Sequence, residues 1–410
     1  MKLKRVVITG AGAQSPLGRD VPALIEGLSS SRSAVRHMEG WDAYKGLRSH
    51  VAAPAETSDI KAIPRQSRRS MGPMSFFSVF AAEEAIADSG IDRDLLSSGR
   101  MGCIIGSTMG GAQGINDVFE LLAPQKDMSE LTSMKFFQCV AHTAALNVTQ
   151  YLGINGVMLA TSGACASGLQ AVGAGYDLIR MGRQDIVLCG GAEELHPTVT
   201  AAFDVLYATS AGYNDRPGQT PRPFDAARDG LVCGAGAGIL VLEELEHARS
   251  RGAKIYAEIA GYHTASSGLH ISKSSKDVLV KTMRHALGEA QADAGAVDYI
   301  NAHATATIQG DAEEAQAIRE IFSDRVPVSS LKGYMGHTLG ASGAIELIAS
   351  LEMMRQGRIF PTRNLSEPAA DCGGIWHVRE PLRRKLTTVV KNAFALGGIN
   401  ASIVLRAYSA

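Results

Sequence analysis

A segment of this chain recurs 175 residues further on, and the repeat constrains the fold more than any other sequence feature. Residues 166–183 and 341–358 share seven of 18 positions, including Ala-Ser-Gly at the start and Arg-x-Gly-Arg at the end. Each copy would end a helix at a glycine flanked by cations, which suits a helix C-terminus. Chance similarity between two Ala- and Gly-rich helices is the alternative, but the matched endings argue against it. The repeat predicts two homologous halves with pseudo-twofold symmetry.

Short β-branched runs alternate with helical patterns along the chain. The runs at residues 6–10, 103–106 and 185–190 end in glycine, whereas residues 76–89 and 278–292 have helical periodicity. Continuous apolar strands that alternate with helices indicate an α/β fold whose sheet is covered on both faces.

A second strand-to-glycine run, at residues 254–261, resembles the run near the N-terminus and opens the second unit. We therefore expect an N-terminal half over residues 1–252 and a C-terminal half over residues 253–410. With 410 residues, 45% of them apolar, the chain is large enough for a hydrophobic core in each half.

The overall charge excludes some classes of partner. Forty basic and 41 acidic residues give a net charge of −1, so no global field recruits nucleic acid or a membrane surface. No stretch approaches the roughly 18 apolar residues that span a bilayer, and the apolar run before Gly10 is too short for a signal peptide. The six scattered cysteines form no C-x-x-C pair. We expect a soluble cytoplasmic protein in a reducing compartment.

Cys165 is the first candidate for chemistry. It lies among the small residues of 160–168, at the start of a predicted helix that reaches Ile179. A helix N-terminus carries partial positive charge and unpaired N–H groups, which would lower the pKa of the thiol and bind an oxyanion. The alternative is an inert, small core residue.

His303 is the second candidate. It follows the strand-like run at residues 297–300 and lies in a loop of small residues, with hydroxyls at Thr305 and Thr307. The carboxyl end of a strand is where open α/β folds place functional residues. A structural or surface histidine is the alternative.

His337 is the third candidate. It ends a run of small and polar residues at 329–337 and leads into the second copy of the repeated helix. Pseudo-twofold symmetry would set the starts of the two repeated helices face to face, which directs His337 toward Cys165. The joint occurrence of the three residues favours a reactive site over three separate structural side chains.

These segments, together with residues 223–230 and 392–401, resemble the elongating β-ketoacyl-acyl carrier protein synthases of the thiolase superfamily, the ketoacyl synthase I and II group. The resemblance covers nearly the whole chain. It implies a thiolase-like duplicated fold, in which two pseudo-twofold related halves form a five-layered αβαβα arrangement.

The resemblance also implies a reaction. Cys165 would receive an acyl chain as a thioester, and His303 and His337 would act as hydrogen-bond donors or as a base around a malonyl thioester that loses its carboxylate. Two histidines indicate elongation with malonyl carrier protein, whereas a histidine and an asparagine would indicate CoA-primed initiation. A thiolase would need a second cysteine, where this chain has Ala-Leu-Gly-Gly at residues 395–398.

Further roles follow from the same resemblance. Lys332 and Glu346 would form a supporting pair, unless they are a solvated lysine and a helix-surface glutamate. The backbone N–H groups of Cys165 and Leu396 would form the oxyanion hole. Met109 and Leu396 would line the acyl pocket.

Contacts to the carrier protein are predicted at two places. Thr305 and Thr307 would hold the phosphopantetheine arm, and Arg65, Arg68 and Arg69 would dock the acidic carrier protein. A solvated basic face is the alternative for the arginines. We expect no metal and no cofactor other than the carrier's phosphopantetheine arm. The partner chain would be a second copy, in a homodimer, or a ketosynthase-like chain-length factor, in a heterodimer.

Two departures from the family pattern concern substrate choice. The chain has His-Ala-Thr at residues 303–305 where His-Gly-Thr is usual, and Ala-Leu-Gly-Gly at 395–398 where Gly-Phe-Gly-Gly is usual, so an aromatic gate is missing. We expect altered substrate choice with activity retained. The product would be an ordinary fatty acid or a specialised unsaturated, polyene or aryl-capped polyketide chain. A non-catalytic, chain-length-determining subunit is the alternative of another class, and the retained Cys165 argues against it.

Overall fold

The structure is a computed structural model that describes residues 3–124, 126–270 and 275–409. Its strands range from short bridging pairs to the long strands of a central sheet. In chain order the strands are β1 Val6–Gln14, β2 Arg36–His37, β3 Val51–Ala52, β4 Met101–Gly106, β5 Met158–Leu159, β6 Ile186–Glu193, β7 Gly236–Glu244, β8 Ala257–Ser266, β9 Tyr299–Asn301, β10 Pro327–Ser329, β11 Arg358–Ile359, β12 Trp376–His377, β13 Leu382–Arg383, β14 Thr388–Ala395 and β15 Ile399–Ala407.

The α-helices are interspersed with the strands along the chain, as the sequence pattern predicts. Within the described ranges, no helix is both long enough and apolar enough to cross a membrane. In chain order the helices are α1 Val21–Ser29, α2 Arg65–Arg68, α3 Pro73–Ser89, α4 Ala112–Leu122, α5 Ser133–Cys139, α6 Thr143–Leu152, α7 Ser167–Arg180, α8 Pro197–Asp204, α9 Leu245–Ser250, α10 Lys276–Glu289, α11 Ile308–Phe322, α12 Lys332–Met335 and α13 Ser342–Gln356.

The central sheet repeats one strand pattern twice. Its 11 strands follow the order β12-β10-β9-β14-β15-β8-β1-β7-β6-β4-β5. In one half of the sheet, β1, β7 and β6 pair antiparallel, and β4 and β5 follow β6 with parallel pairing. In the other half, β8, β15 and β14 pair antiparallel, and β9, β10 and β12 follow β14 with parallel pairing. The two patterns meet where β1 pairs with β8 through residues 6–8 and 257–259. This arrangement confirms the predicted duplicated α/β fold.

Helices divide the molecule into five layers. α3 and α6 cover one outer face, α10 and α11 cover the other, and α7 and α13 lie between the two parts of the sheet. α13 is buried almost all round because it contacts both β7 and β14. A helix that is buried on every side is expected only in such an enclosed layer. The αβαβα arrangement that the family resemblance implies is therefore confirmed.

The sequence repeat appears in the structure as two matching helix starts. α7 and α13 begin 175 residues apart, and each follows a short 3-10 turn whose first residue has a positive φ, 48° at Ala164 and 47° at Leu339. A methyl group on Gly168 would lie 2.5 Å from the carbonyl oxygen of Gly340. The two helix starts therefore touch, as the predicted symmetry requires.

Candidate active site

Cys165, His303 and His337 meet in the middle layer of the fold. Their thiol and imidazole ligand atoms all lie within 4.8 Å of one another, and all three side chains are buried. The two imidazole rings are perpendicular, with centroids 5.1 Å apart. The structure thus brings together the three residues that the sequence singled out.

The turn before α7 holds Cys165 in place. Cys165 is the middle residue of the 3-10 turn Ala164–Ala166. The Ser167 hydroxyl accepts a hydrogen bond from the Gly163 N–H at 2.9 Å and lies 3.1 Å from the Ser107 carbonyl oxygen, which can accept from it. These contacts connect the turn that carries Cys165 to the loop after β4.

Burial dominates the acidity of the thiol. It raises the pKa of Cys165 to about 12, although the charge of Lys332 and the N–H groups of Leu396 and Cys165 act in the opposite direction. The sequence expectation of a lowered pKa was wrong, because removing water from the thiolate outweighs the helix-end effect. The thiol is protonated at neutral pH, so a base must accept its proton before the sulfur attacks.

Both imidazoles are neutral near pH 7. Burial, followed by the positive charge of Lys332, lowers the pKa of His303 and of His337 well below the usual value. Within the described residues, Nδ1 of His303 and both ring nitrogens of His337 have no hydrogen-bond partner. Each ring can therefore offer one donor and one acceptor to a substrate.

Two buried carboxylates shape the loop that carries His303. Glu314 accepts hydrogen bonds from the N–H groups of His303 at 2.9 Å and Ala304 at 2.7 Å. Asp311 accepts from the Thr305 N–H at 2.9 Å. Both carboxylates come from α11, so this helix fixes the backbone position of His303.

Backbone pairing holds His337. Its N–H donates to the Val232 carbonyl at 2.7 Å, and its carbonyl accepts from the Gly234 N–H at 2.8 Å. Gly336, with a φ of 66°, makes the turn that brings the chain into this pairing.

Lys332 and Glu346 form a buried ion pair beside the imidazoles. The Lys332 Nζ lies 2.7 Å from one carboxylate oxygen of Glu346, and the Ser342 hydroxyl donates to the same oxygen at 3.0 Å. Both side chains are fully buried, so the interpretation as a solvated lysine and a surface glutamate was wrong.

A second lysine, which the sequence analysis missed, completes this cluster. Lys391 on β14 is fully buried and forms an ion pair with the other carboxylate oxygen of Glu346. Burial opposes ionisation of Glu346, but the ammonium groups of Lys332 and Lys391 outweigh it and lower its pKa. A lysine within the apolar strand run at residues 388–392 was the available signal, because a buried lysine needs an acidic partner.

Of the other predicted site residues, Thr305 is buried, Thr307 is half-buried, and Met109 and Leu396 are exposed. The hydroxyls of Thr305 and Thr307 are 3.1 Å apart, just before α11. Met109 and Leu396 are 40% and 45% exposed, so neither is enclosed in a packed pocket within this single chain.

The three arginines of the predicted docking surface lie on and next to α2. Arg65 and Arg69 are exposed and Arg68 is half-buried. Arg68 donates a long, 3.5 Å hydrogen bond to the Ile60 carbonyl, and none of the three is paired with a described carboxylate. Their charges are therefore available to an acidic partner.

The same thiol and imidazoles could also ligate a metal ion. One cysteine and two histidines are donors that Zn²⁺ accepts with a fourth position left open. Within the described ranges no other group of three or more such side chains lies as close together. Metal binding and nucleophilic attack need the same sulfur and nitrogen lone pairs, so the two uses exclude each other.

Comparison with known proteins identifies the family. The family described as "Beta-ketoacyl synthase, N-terminal domain" matches residues 3–248, and "Beta-ketoacyl synthase, C-terminal domain" matches residues 256–366. The chain belongs to the β-ketoacyl synthase family. The resemblance drawn from its motifs is thereby confirmed.

Individual β-ketoacyl synthases are similar to this chain over nearly its whole length. The 3-oxoacyl-[acyl-carrier-protein] synthase 1 of Escherichia coli is 36% identical, over 98% of this chain and 99% of the relative. A β-ketoacyl synthase structure from Burkholderia phymatum is 43% identical with a TM-score of 0.96, over 99% of this chain and 100% of the other. The ishigamide ketosynthase/chain length factor structure is 30% identical with a TM-score of 0.92, over 99% and 100%.

Proposed function

We propose that this β-ketoacyl synthase elongates an acyl chain by decarboxylative condensation with malonyl-acyl carrier protein. The observation that carries the proposal is the buried cluster of one thiol and two neutral imidazoles within 4.8 Å of one another. The name of the Escherichia coli relative supports substrates bound to an acyl carrier protein.

In the first step Cys165 becomes acylated. A neighbouring imidazole accepts the thiol proton, the sulfur attacks the acyl thioester carbonyl, and the carrier's thiol leaves with the proton. The N–H groups of Cys165 and Leu396, which favour a charged sulfur, would stabilise the oxyanion that forms beside it.

In the second step the malonyl thioester loses CO2. One N–H from each of His303 and His337 donates to its carbonyl oxygen, so the electron pair of the broken C–C bond is held as an enolate. The enolate carbon attacks the acyl carbonyl carbon, the thioester bond from the acyl carbonyl carbon to the Cys165 sulfur breaks, and the thiolate takes up a proton that originates in solvent. Thr305 and Thr307 would hold the phosphopantetheine arm during both steps.

The proposed halves divide this chemistry between them. Residues 1–252 supply the nucleophile, and residues 253–410 supply both histidines and the Lys332–Glu346 pair. No cofactor of the chain's own enters the scheme, because the phosphopantetheine arm of the carrier protein delivers both acyl groups. Arg65, Arg68 and Arg69 would dock that carrier by charge complementarity.

A second chain is proposed to cover the edge strand β5. This strand ends the central sheet and exposes Met158 and Leu159, and helices α4 and α5 expose Phe119 and Phe136. An exposed apolar edge strand is a ready surface for pairing with another chain. The partner would be a second copy or, as the name of the ishigamide relative suggests, a chain length factor.

The pathway is either fatty acid or polyketide synthesis. The missing aromatic gate at Leu396 supports a specialised unsaturated or aryl-capped product. A non-catalytic, chain-length-determining role is disfavoured because the complete cluster of Cys165, His303 and His337 is buried and assembled.

Intact-protein mass measurement after incubation with acyl-acyl carrier protein tests the proposal. Wild type and Cys139→Ala should gain one acyl group, whereas Cys165→Ala should gain none. Cys139 is the matched control because, unlike the other five cysteines, it is only partly buried and so more accessible to non-specific acylation. An unmodified wild type, or an adduct that persists in Cys165→Ala, would contradict the enzyme assignment.

A further inference from the structure

We propose that Lys391 is a positioning residue for decarboxylation, which together with Lys332 holds Glu346 ionised and adds a second positive charge beside the two imidazoles. The inference rests on the proposed condensation and adds to it a residue that acts through its neighbours.

The geometry is that of a carboxylate shared by two ammonium groups. Lys332 lies 2.7 Å from one oxygen of Glu346, and Lys391 contacts the other oxygen. The three side chains come from α12, α13 and β14, and all are fully buried. Two positive charges and one negative charge leave the cluster with a charge of +1.

Pairing alone does not explain the second lysine. Lys332 and Glu346 would already form a neutral pair, and burying a further ammonium group costs desolvation free energy. Burial accordingly lowers the pKa of Lys391 to about 8, although Glu346 favours its charged form. The lysine is mostly protonated at neutral pH, so the site keeps its extra charge there at the expense of stability.

The charge of Lys391 acts on the histidines more than on the nucleophile. It contributes to the lowered pKa of both His303 and His337, whereas Lys332 is the lysine that acts on the Cys165 thiol. The titratable groups around the cluster are Glu346, Lys332, Glu314, His303, His337 and, facing Glu346 from β9, Tyr299.

This placement separates the two half-reactions. A positive charge near the imidazoles keeps them unprotonated and stabilises the negative charge that develops on the malonyl thioester oxygen as CO2 leaves. Acyl transfer forms its oxyanion at the N–H groups of Cys165 and Leu396 instead. Loss of Lys391 should therefore slow decarboxylation much more than acylation.

The variant Lys391→Met removes the charge and keeps a long unbranched side chain. We expect decarboxylation of malonyl-acyl carrier protein at pH 7 to fall by about 10–100-fold, with acylation of Cys165 at least as fast as in wild type because the imidazoles become more basic. Wild-type decarboxylation should decline as the pH rises through about 8, because Lys391 loses its proton there. That alkaline decline should be absent in Lys391→Met.

Lys254→Met is the matched control, because Lys254 is also ion-paired, to Asp88, but is half-exposed on the surface. It should leave both rates and the pH profile unchanged. Acylation of Cys165 in Lys391→Met shows that the variant has folded. An unchanged alkaline decline in Lys391→Met, or equal losses of acylation and decarboxylation, would overturn the role of Lys391. A wild type that neither acylates nor decarboxylates would instead overturn the proposed function.

Discussion

The contact between the two repeated helix starts can be tested by adding one methyl group. In Gly168→Ala the new Cβ would lie 2.5 Å from the carbonyl oxygen of Gly340 and 3.2 Å from the Gly191 Cα. Ordinary contact begins at 3.4 Å, so the helix start must move by about 0.9 Å away from Gly340. Gly340 lies three residues after His337, so the movement separates the turn that carries Cys165 from His337.

The energetic cost follows from comparison with a second helical glycine. A methyl group on Gly288 in α10 would have no atom within 4 Å. Both substitutions gain the helix propensity of alanine, about 1 kcal/mol, but only Gly168→Ala has the overpacking cost of about 1–3 kcal/mol. The free energy of unfolding of Gly168→Ala should therefore be about 1–3 kcal/mol below that of Gly288→Ala.

The movement should also lower the rate of condensation. A displacement near 1 Å in a reacting pair costs on the order of 100-fold in rate, so condensation by Gly168→Ala should fall to about 1% of wild type. Denaturant unfolding gives the stability difference, and product formation from acyl- and malonyl-carrier protein gives the rate. If Gly168→Ala matched Gly288→Ala in both measurements, the reasoning from helix contact to catalytic geometry would be refuted.

Two further predictions concern Leu396 and the buried His337. Leu396→Phe restores an aromatic side chain and should change the ratio of kcat/KM for saturated and polyene primers by about tenfold, with decarboxylation unchanged; equal ratios would rule out a gating role. Because the pKa of His337 in the folded protein lies well below 6.5, the unfolded state binds its proton first as the pH falls. The free energy of unfolding therefore falls as the pH drops below 6.5, by up to about 1.4 kcal/mol per pH unit. In His337→Gln the free energy of unfolding should fall less steeply with decreasing pH than in wild type. Parallel curves of unfolding free energy against pH for the two proteins would refute the assignment of a neutral buried imidazole.

Much of the fold was predictable because its signals are local or periodic. The repeat at residues 166–183 and 341–358 predicted two equivalent helices, and these begin 175 residues apart in the structure. Alternating strand and helix patterns predicted the α/β class. Such patterns depend on the chemistry of neighbouring residues along the chain, so no tertiary contact is needed to recognise them.

The electrostatics of the site were not predictable in the same way. A helix start predicted a lowered pKa for Cys165, but burial raises it to about 12. The degree of burial depends on layers that pack around the thiol from distant parts of the chain. Lys391 was missed for the same reason, because its partner on α13 is 45 positions away in sequence.

By itself the sequence determined the duplication, the α/β class and the identities of Cys165, His303 and His337, because residue type and periodicity carry that information. The tertiary structure alone decided that the thiol is protonated, that both imidazoles are neutral and that Lys332, Glu346 and Lys391 share one charge cluster. The physical reason is desolvation. A charge shifts the pKa of a neighbouring group strongly only when packing excludes water from both, and packing is a property of the folded chain.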